Sequence, residues 1–368
     1  MRNRVLALLA IAGLLGAPEL FAQAPSGTKA FDPKAVDPEA AIKAAADAAK
    51  AANAAAAANW TPPRTAWGDP DLRGYWLTAT YTPLQRPPEL AGKPFYTEEE
   101  ALAVFKKSVE SDAEVDPRTV HYDWKEYGMD AWQSPVRPNR RTSLIFDPEN
   151  GRLPALTPEA QKRQADGRAA ARVRNPQVGV QTLANWYTRC ITGNNAGPMT
   201  RGGNPGSDSA AGAAGVTAEA QIFQAPGYAV LIMQSNSDAR IIPLDGRPRL
   251  SPRIGQWMGD SRGHWEGKTL VVETTNFNGK VQISQHLAFG LAPGGRVVER
   301  FTRTGADLID YRFTVDDQAT FTRPFTVVSP MQRLTDQIYE YACHEGNVAM
   351  RAILSGARAQ EKENAQKK

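Results

Sequence analysis

The chain has 368 residues, with 43 basic and 39 acidic side chains and a formal net charge of +4 at pH 7. This balance excludes the strongly basic surface typical of nucleic-acid-binding proteins, and 30 glycines with 27 prolines exclude a helical bundle or a coiled coil. Two cysteines and four histidines exclude a cysteine-rich zinc module.

The first 24 residues have the three-part pattern of a secretory signal. Arg2 and Arg4 precede an apolar run at residues 5–16, and Ala22-Gln23-Ala24 provides a small-residue cleavage site. The apolar run is shorter than the roughly 20 residues that a membrane-spanning helix requires, and no later segment is apolar enough. We therefore expect an exported protein, periplasmic or secreted, that does not insert stably into a membrane.

The residues from 25 to 200 predict a leader followed by a wrap that is helical in part. Residues 25–60 are rich in alanine and predict either a disordered spacer or a solvated helix. Residues 61–200 begin with turn chemistry and a short strand at 74–78. One helix is predicted after Thr97, where Glu100 completes a capping box, and another after Thr157, with Pro158 at its first position.

A flexible loop is predicted at residues 201–217, which are mostly Gly, Ala, Ser and Asn. Residues 218–357 then alternate short strand-like runs with Gly, Pro and Asp turns, which is typical of an antiparallel sheet. The predicted strands are 221–224, 228–234, 239–244, 270–277, 296–303, 308–315, 325–333 and 337–343. A short helix is expected at 347–355, before a charged and disordered tail at 358–368.

The fold class is therefore mainly β, an antiparallel meander that forms either a lipocalin-like barrel or a sandwich. Closure into a barrel would remove the exposed sheet edges, and small barrels often enclose one small ligand. The pattern alone does not separate these two architectures.

Cys190 and Cys343 are the only cysteines. In an oxidising compartment such a pair is most simply a disulfide bond. Two unpaired buried thiols and a catalytic thiol are the alternatives.

The segment Gly259-Asp260-Ser261-Arg262-Gly263 matches the G-x-S-x-G pattern of a nucleophile elbow. An elbow needs a helix after the serine, whereas the following residues predict a strand and a hairpin turn. A turn that requires two glycines is the structural alternative. His344-Glu345 begins like a zinc-protease helix, but Val348 stands where the second histidine is required, so no metal site is predicted.

A second group of polar residues lies at the ends of the predicted strands and could meet at one mouth of a barrel. A histidine there would serve as a general base oriented by a carboxylate, an arginine would hold a carbonyl or anionic group, and a tryptophan would stack on the ligand. The alternative is a set of structural ion pairs and packing contacts. The predicted catalytic residues are Asp260, His264, His344 and Glu345, and the predicted ligand-binding residues are Arg240, Arg262, Trp257 and Trp265.

Several longer motifs carry a resemblance. They include residues 189–192 (RCIT), 238–248 (DARIIPLDGRP), 259–277 (from GDSRG to TLVVETTNF) and 339–347 (YEYACHEGN). In these motifs the chain resembles a group of exported proteins from soil bacteria, over about residues 60–358. The resemblance implies one shared fold and carries no activity over to this chain.

Three functions follow as expectations. The first is an exported barrel that binds a small organic molecule and acts on it by acid–base chemistry, as a hydratase, isomerase or lyase. The second is a non-catalytic binding or scaffold protein of the cell envelope. The third is a serine hydrolase that uses Ser261. No cofactor is predicted, and the oligomeric state is left open.

Overall fold

A computed structural model describes residues 38–57, 60–113, 136–172, 189–191, 219–234, 239–280, 291–335, 337–338, 340 and 342–367. The predicted signal at residues 1–24 and the predicted loop at 201–217 lie outside these ranges. No helix within these ranges is long and apolar enough to cross a membrane.

The described part of the chain forms one sheet of ten antiparallel strands, nearly closed into a barrel. The strand order is β5-β4-β3-β1-β10-β9-β8-β7-β6, and β2 pairs with β10 off this path. This confirms the mainly β class and favours the barrel over the sandwich. The strands are β1 (Gly74–Leu77), β2 (Ile145–Asp147), β3 (Glu219–Ala225), β4 (Tyr228–Met233), β5 (Ala239–Pro243), β6 (Asp260–Glu266), β7 (Thr269–Thr275), β8 (Arg296–Gly305), β9 (Leu308–Asp316) and β10 (Phe325–Arg333).

The two ends of this strand order, β5 and β6, pack against each other through side chains. A Cβ atom added at Gly263 in β6 would lie 2.6 Å from Leu244 Cδ2 and 3.0 Å from Ile242 Cγ2. Real Cβ atoms do not approach other atoms that closely, so glycine permits this contact. The side chains of Ile242 and Leu244 can therefore approach β6 closely because Gly263 has no side chain.

Alternating burial shows why these segments form strands around a core. In β8, Val297 and Phe301 are buried, while the intervening Val298 and Arg300 are partly exposed. Since successive side chains of a strand point to opposite faces, one apolar row of each strand faces the interior of the barrel. Gly227 and Gly267 have φ of 77° and 60°, which suits the tight turns of the β3–β4 and β6–β7 hairpins.

Two parts of the predicted sheet need correction. The described residues of the segment predicted as a last strand, 337–338, 340 and 342–343, are not in a strand. The short first strand, predicted as part of the N-terminal wrap, lies inside the sheet, where Trp76 pairs with Ala220 on one side and Arg333 on the other.

Four α-helices are described: α1 (Pro38–Ala57), α2 (Glu98–Ala113), α3 (Pro158–Arg172) and α4 (Ala349–Gln366). The predicted capping box is confirmed, because Thr97 N donates to Glu100 Oε2 at 2.9 Å and Glu100 N donates to Thr97 Oγ1 at 3.2 Å. Thr157 caps α3 in the same way, its Oγ1 accepting the Ala160 N–H at 3.1 Å.

The described residues of the leader and of the tail form helices. Of the two alternatives for the alanine-rich segment, its described residues form α1, which contacts α2 and β8. The prediction of a disordered tail is wrong for the described residues, because α4 continues to Gln366. Its charged residues are good helix formers, and Gly356 does not end the helix.

The segment that precedes β1 is bonded to side chains of two strands, β3 and β8. The Gln224 side chain accepts the Leu72 N–H at 2.7 Å and donates to the Pro70 carbonyl at 3.0 Å. Arg303 donates to the Asp71 carbonyl at 2.8 Å, and its guanidinium lies over the ring of Trp76. These bonds hold the segment against both strands.

Candidate functional site

A buried ion pair lies inside the barrel. Arg240 Nη1 and Nη2 donate to the two carboxylate oxygens of Glu299 at 2.7 and 2.9 Å. The hydroxyl of Tyr311 donates to Glu299 Oε1 at 2.7 Å. Arg240 is 4% exposed, and Glu299 and Tyr311 are fully buried, so the three side chains form a bidentate ion pair with a third hydrogen bond.

Strand alternation places these side chains inside. Arg240 lies in the core-facing row of β5, together with Ile242. Glu299 and Tyr311 lie in the core-facing rows of β8 and β9. The Tyr311 ring stacks on Phe301 with centroids 4.7 Å apart. The ion pair thus spans the interior from one edge strand to the middle of the sheet.

The ion pair keeps its charge despite burial. Burial alone lowers the pKa of Arg240, but the negative charge and the hydrogen bonds of Glu299 outweigh this effect, and the pKa is raised. A guanidinium is in any case charged at all physiological pH values. The centre therefore contains one positive and one negative charge that balance each other.

Three polar atoms of the interior have no hydrogen-bond partner: Arg240 Nε, Trp265 Nε1 and Ser329 Oγ. Strand register places Trp265 and Ser329 in one row across the sheet. From Trp265, the row continues through Leu270, Phe301 and Tyr311 to Ser329. Buried polar groups are paired in most native structures, and one left unpaired calls for a water, an ion or a ligand. All three can donate a hydrogen bond.

Ser261, the candidate nucleophile, lies within β6 rather than on a turn before a helix. It is 6% exposed, and its hydroxyl lies 2.8 Å from that of Thr274 on the neighbouring strand. The strand continues to Glu266 and leads into a hairpin. The geometry that exposes the serine of a nucleophile elbow is therefore not found here.

Asp260 and Arg262 hold the long loop between β5 and β6. Arg262 forms an ion pair with Asp260 and donates to the Pro248 carbonyl at 3.1 Å. Asp260 Oδ2 accepts the Leu250 N–H at 3.0 Å. Both predicted site residues thus bind backbone groups of the loop.

His264 lies on the outer face of the barrel. Its Nε2 is 3.2 Å from Glu266 Oε1, and Glu266 also pairs with Arg300. Hydrogen bonds from His264 and Arg300 lower the pKa of Glu266. Trp257 is half-buried beneath Lys280, whose Nζ lies 6.0 Å from the ring centroid.

His344 and Glu345 are exposed in a turn before α4, next to Cys343. Within the described ranges, no hydrogen bond or ion pair joins them to His264 or Asp260. The structure therefore does not bring the four predicted catalytic residues together.

The two cysteines do meet as predicted. The Sγ atoms of Cys190 and Cys343 lie 2.10 Å apart, at disulfide distance, across a sequence separation of 153 residues. Asn347 Nδ2 lies 3.2 Å from Cys190 Sγ. This pair connects the segment between α3 and β3 to the turn that precedes α4.

Sequence reasoning found Arg240, Trp265 and Ser261 but missed Glu299, Tyr311 and Ser329. The signal for Glu299 was present, because Val297, Glu299 and Phe301 occupy the same face of a predicted strand. An ionisable residue in an apolar row indicates a buried charge that needs a partner.

A scan of family models and searches of curated proteins and of solved structures each gave no match to this chain.

Proposed function

We propose that this chain is a binding protein whose barrel interior takes a small, largely apolar organic molecule carrying an oxygen acceptor. The observation that carries the proposal is the set of unpartnered polar atoms on Arg240, Trp265 and Ser329. A carbonyl, ether or hydroxyl oxygen of a ligand would satisfy one or more of them.

Charge balance argues for a neutral ligand. Arg240 and Glu299 already compensate each other with bidentate hydrogen bonds. A further charge brought into the interior would lack a counter-charge and would carry a large desolvation cost. Stacked rings beside the ion pair, Phe301 and Tyr311, offer an apolar surface to the remainder of the ligand.

The proposal stops at binding. His264, His344 and Glu345 are exposed, and Asp260 is engaged by Arg262 and the Leu250 N–H. None of these contacts supports the acid–base step expected from the sequence.

The proposal includes export to the periplasm or beyond. The signal pattern at residues 1–24 supports it. The cysteine pair at disulfide distance is compatible with an oxidising compartment.

A thermal-shift screen of neutral ketones, ethers and alcohols with apolar bodies tests the proposal, because a ligand that binds the folded state raises the melting temperature. For each hit, Ser329→Ala and Trp265→Phe are compared with the wild type. Each variant removes one unpartnered atom and leaves the Arg240–Glu299 pair in place. We expect either variant to weaken binding by about three- to tenfold.

Ser143→Ala is the matched control, since Ser143 is equally buried but its hydroxyl already donates to the Ile145 carbonyl at 2.9 Å. Its ligand affinity should equal that of the wild type. Hits that respond equally to all three variants would contradict an interior site, and a screen without hits would favour the scaffold alternative.

A further inference from the structure

Outside the barrel interior, Arg141 is a cation without a carboxylate partner among the described residues. The guanidinium carbon of Arg141 is 5.3 Å from the ring centroid of Phe95 and 5.1 Å from that of Phe146. The two phenylalanines are 47% and 49% exposed. An arginine between two exposed aromatic rings is thus presented to solvent with apolar groups beside it.

Backbone pairing fixes this arrangement. Phe95 and Arg141 form an isolated antiparallel bridge. On either side of it, Tyr96 N donates to the Arg140 carbonyl at 2.7 Å and Thr142 N donates to the Pro94 carbonyl at 3.1 Å. The ring of Phe95 therefore meets Arg141 because the two segments are held in register.

Arg141 differs from its charged neighbours in having no acceptor. Arg312 pairs with Asp310, and Arg323 pairs with Asp147. The described residues give the Arg141 guanidinium no hydrogen bond and no ion pair. Burial first, and then the positive charge of Arg312, lower its pKa, and the negative charge of Asp310 offsets this only in part.

A second unpartnered donor occurs two residues earlier in the chain, at Asn139. Asn139 Oδ1 accepts the Arg141 backbone N–H at 3.1 Å, which sets the orientation of the amide. Asn139 Nδ2 is buried and has no hydrogen-bond partner. Two side chains of this segment thus have donor groups without acceptors.

We propose that Arg141 and Asn139 form a binding site for a carboxylate carried on an aromatic body. A guanidinium presents its N–H groups in a planar fork that matches the two oxygens of a carboxylate. The exposed rings of Phe95 and Phe146 contact the apolar part of the ligand. This site lies outside the barrel and is independent of the interior site.

Calorimetric titration of the full chain with benzoate tests the site. We expect wild-type binding at millimolar concentrations, a loss of about tenfold or more with Arg141→Gln, and an intermediate loss with Arg141→Lys, which keeps the charge but not the fork. Neutral benzamide should not bind in the same range.

Arg323→Gln is the matched control, because it removes a nearby arginine that already has a carboxylate partner. Its benzoate affinity should be unchanged, and circular dichroism establishes that each variant is folded. Equal benzoate binding by Arg141→Gln and the wild type, or no binding by the wild type, would overturn the proposal. Neither outcome bears on the interior site, whose variants are different.

Discussion

Glu299 has its charge compensated from two sides, by the guanidinium of Arg240 and by the hydroxyl of Tyr311. Glu299→Gln removes the negative charge and leaves Arg240 buried without a counter-ion. We expect the free energy of unfolding to fall by about 3–5 kcal/mol. Urea denaturation monitored by tryptophan fluorescence measures the change.

Two controls separate charge from shape in that experiment. Glu266→Gln affects a solvent-exposed pair with Arg300 and should leave the stability close to that of the wild type. The double variant Arg240→Met with Glu299→Leu removes both charges and should recover most of the loss. If Glu299→Gln costs no more than Glu266→Gln, the ion pair does not stabilise the interior.

The same residues show how far sequence reasoning reaches at this scale. Arg240 stood out because it is polar at the start of a strand, but its partner could not be chosen. Glu299 lies 59 residues away in sequence, on a strand three positions from the end of the sheet order. Only the closure of the barrel brings the two together, and no local pattern encodes closure.

At the scale of single elements, the contact between β5 and β6 depends on Gly263. Gly263→Ala would place a Cβ atom 2.6 Å from Leu244 Cδ2, and the leucine or the strand must move. We expect a loss of about 1–2 kcal/mol in the free energy of unfolding, measured by chemical denaturation.

Gly294→Ala is the control for this change, because a Cβ atom there would meet nothing within 4 Å. It should leave stability unchanged or raise it by a few tenths of a kcal/mol through the entropy of the unfolded chain. A Gly263→Ala variant as stable as Gly294→Ala would show that the contact between β5 and β6 is loosely packed.

Most elements were predictable because their signals are local. The strands from 308–315 and 325–333 alternate apolar and polar residues, and Thr97 with Glu100 is a helix start that can be read without tertiary information. The strand predicted at 337–343 was wrong. Its aromatic composition favours a strand, but a strand also requires a neighbouring strand to pair with. The prediction of a disordered tail was wrong because it gave the charge of these residues more weight than their helix propensity.

At the scale of the whole molecule, the pair Cys190–Cys343 closes a loop with a sequence separation of 153 residues. In the chain-entropy account, such a crosslink stabilises the fold by up to about 5 kcal/mol. We expect reduction, or the double change Cys190→Ser with Cys343→Ser, to lower the melting temperature. Scanning calorimetry with and without reductant provides the measurement.

Mass measurement gives an independent check on the same pair. The intact chain should gain two hydrogens on reduction, and the double serine variant should not respond to reductant. A mass that is identical with and without reductant would rule out the bond. A bond that forms without affecting the melting temperature would show that the crosslinked segments are not part of the cooperative unit.

The position of β1 in the sheet has a consequence for how the chain folds. β3–β5 and β6–β10 are two runs of sequential hairpins, which form from local contacts. They are joined through β1, where Trp76 must reach Ala220 on one side and Arg333 on the other. Contacts between such distant residues make folding slow. Synthesis of the chain between Trp76 and Arg333 takes on the order of 10–50 s, so β1 emerges long before β10 and stays unpaired on that side in the meantime.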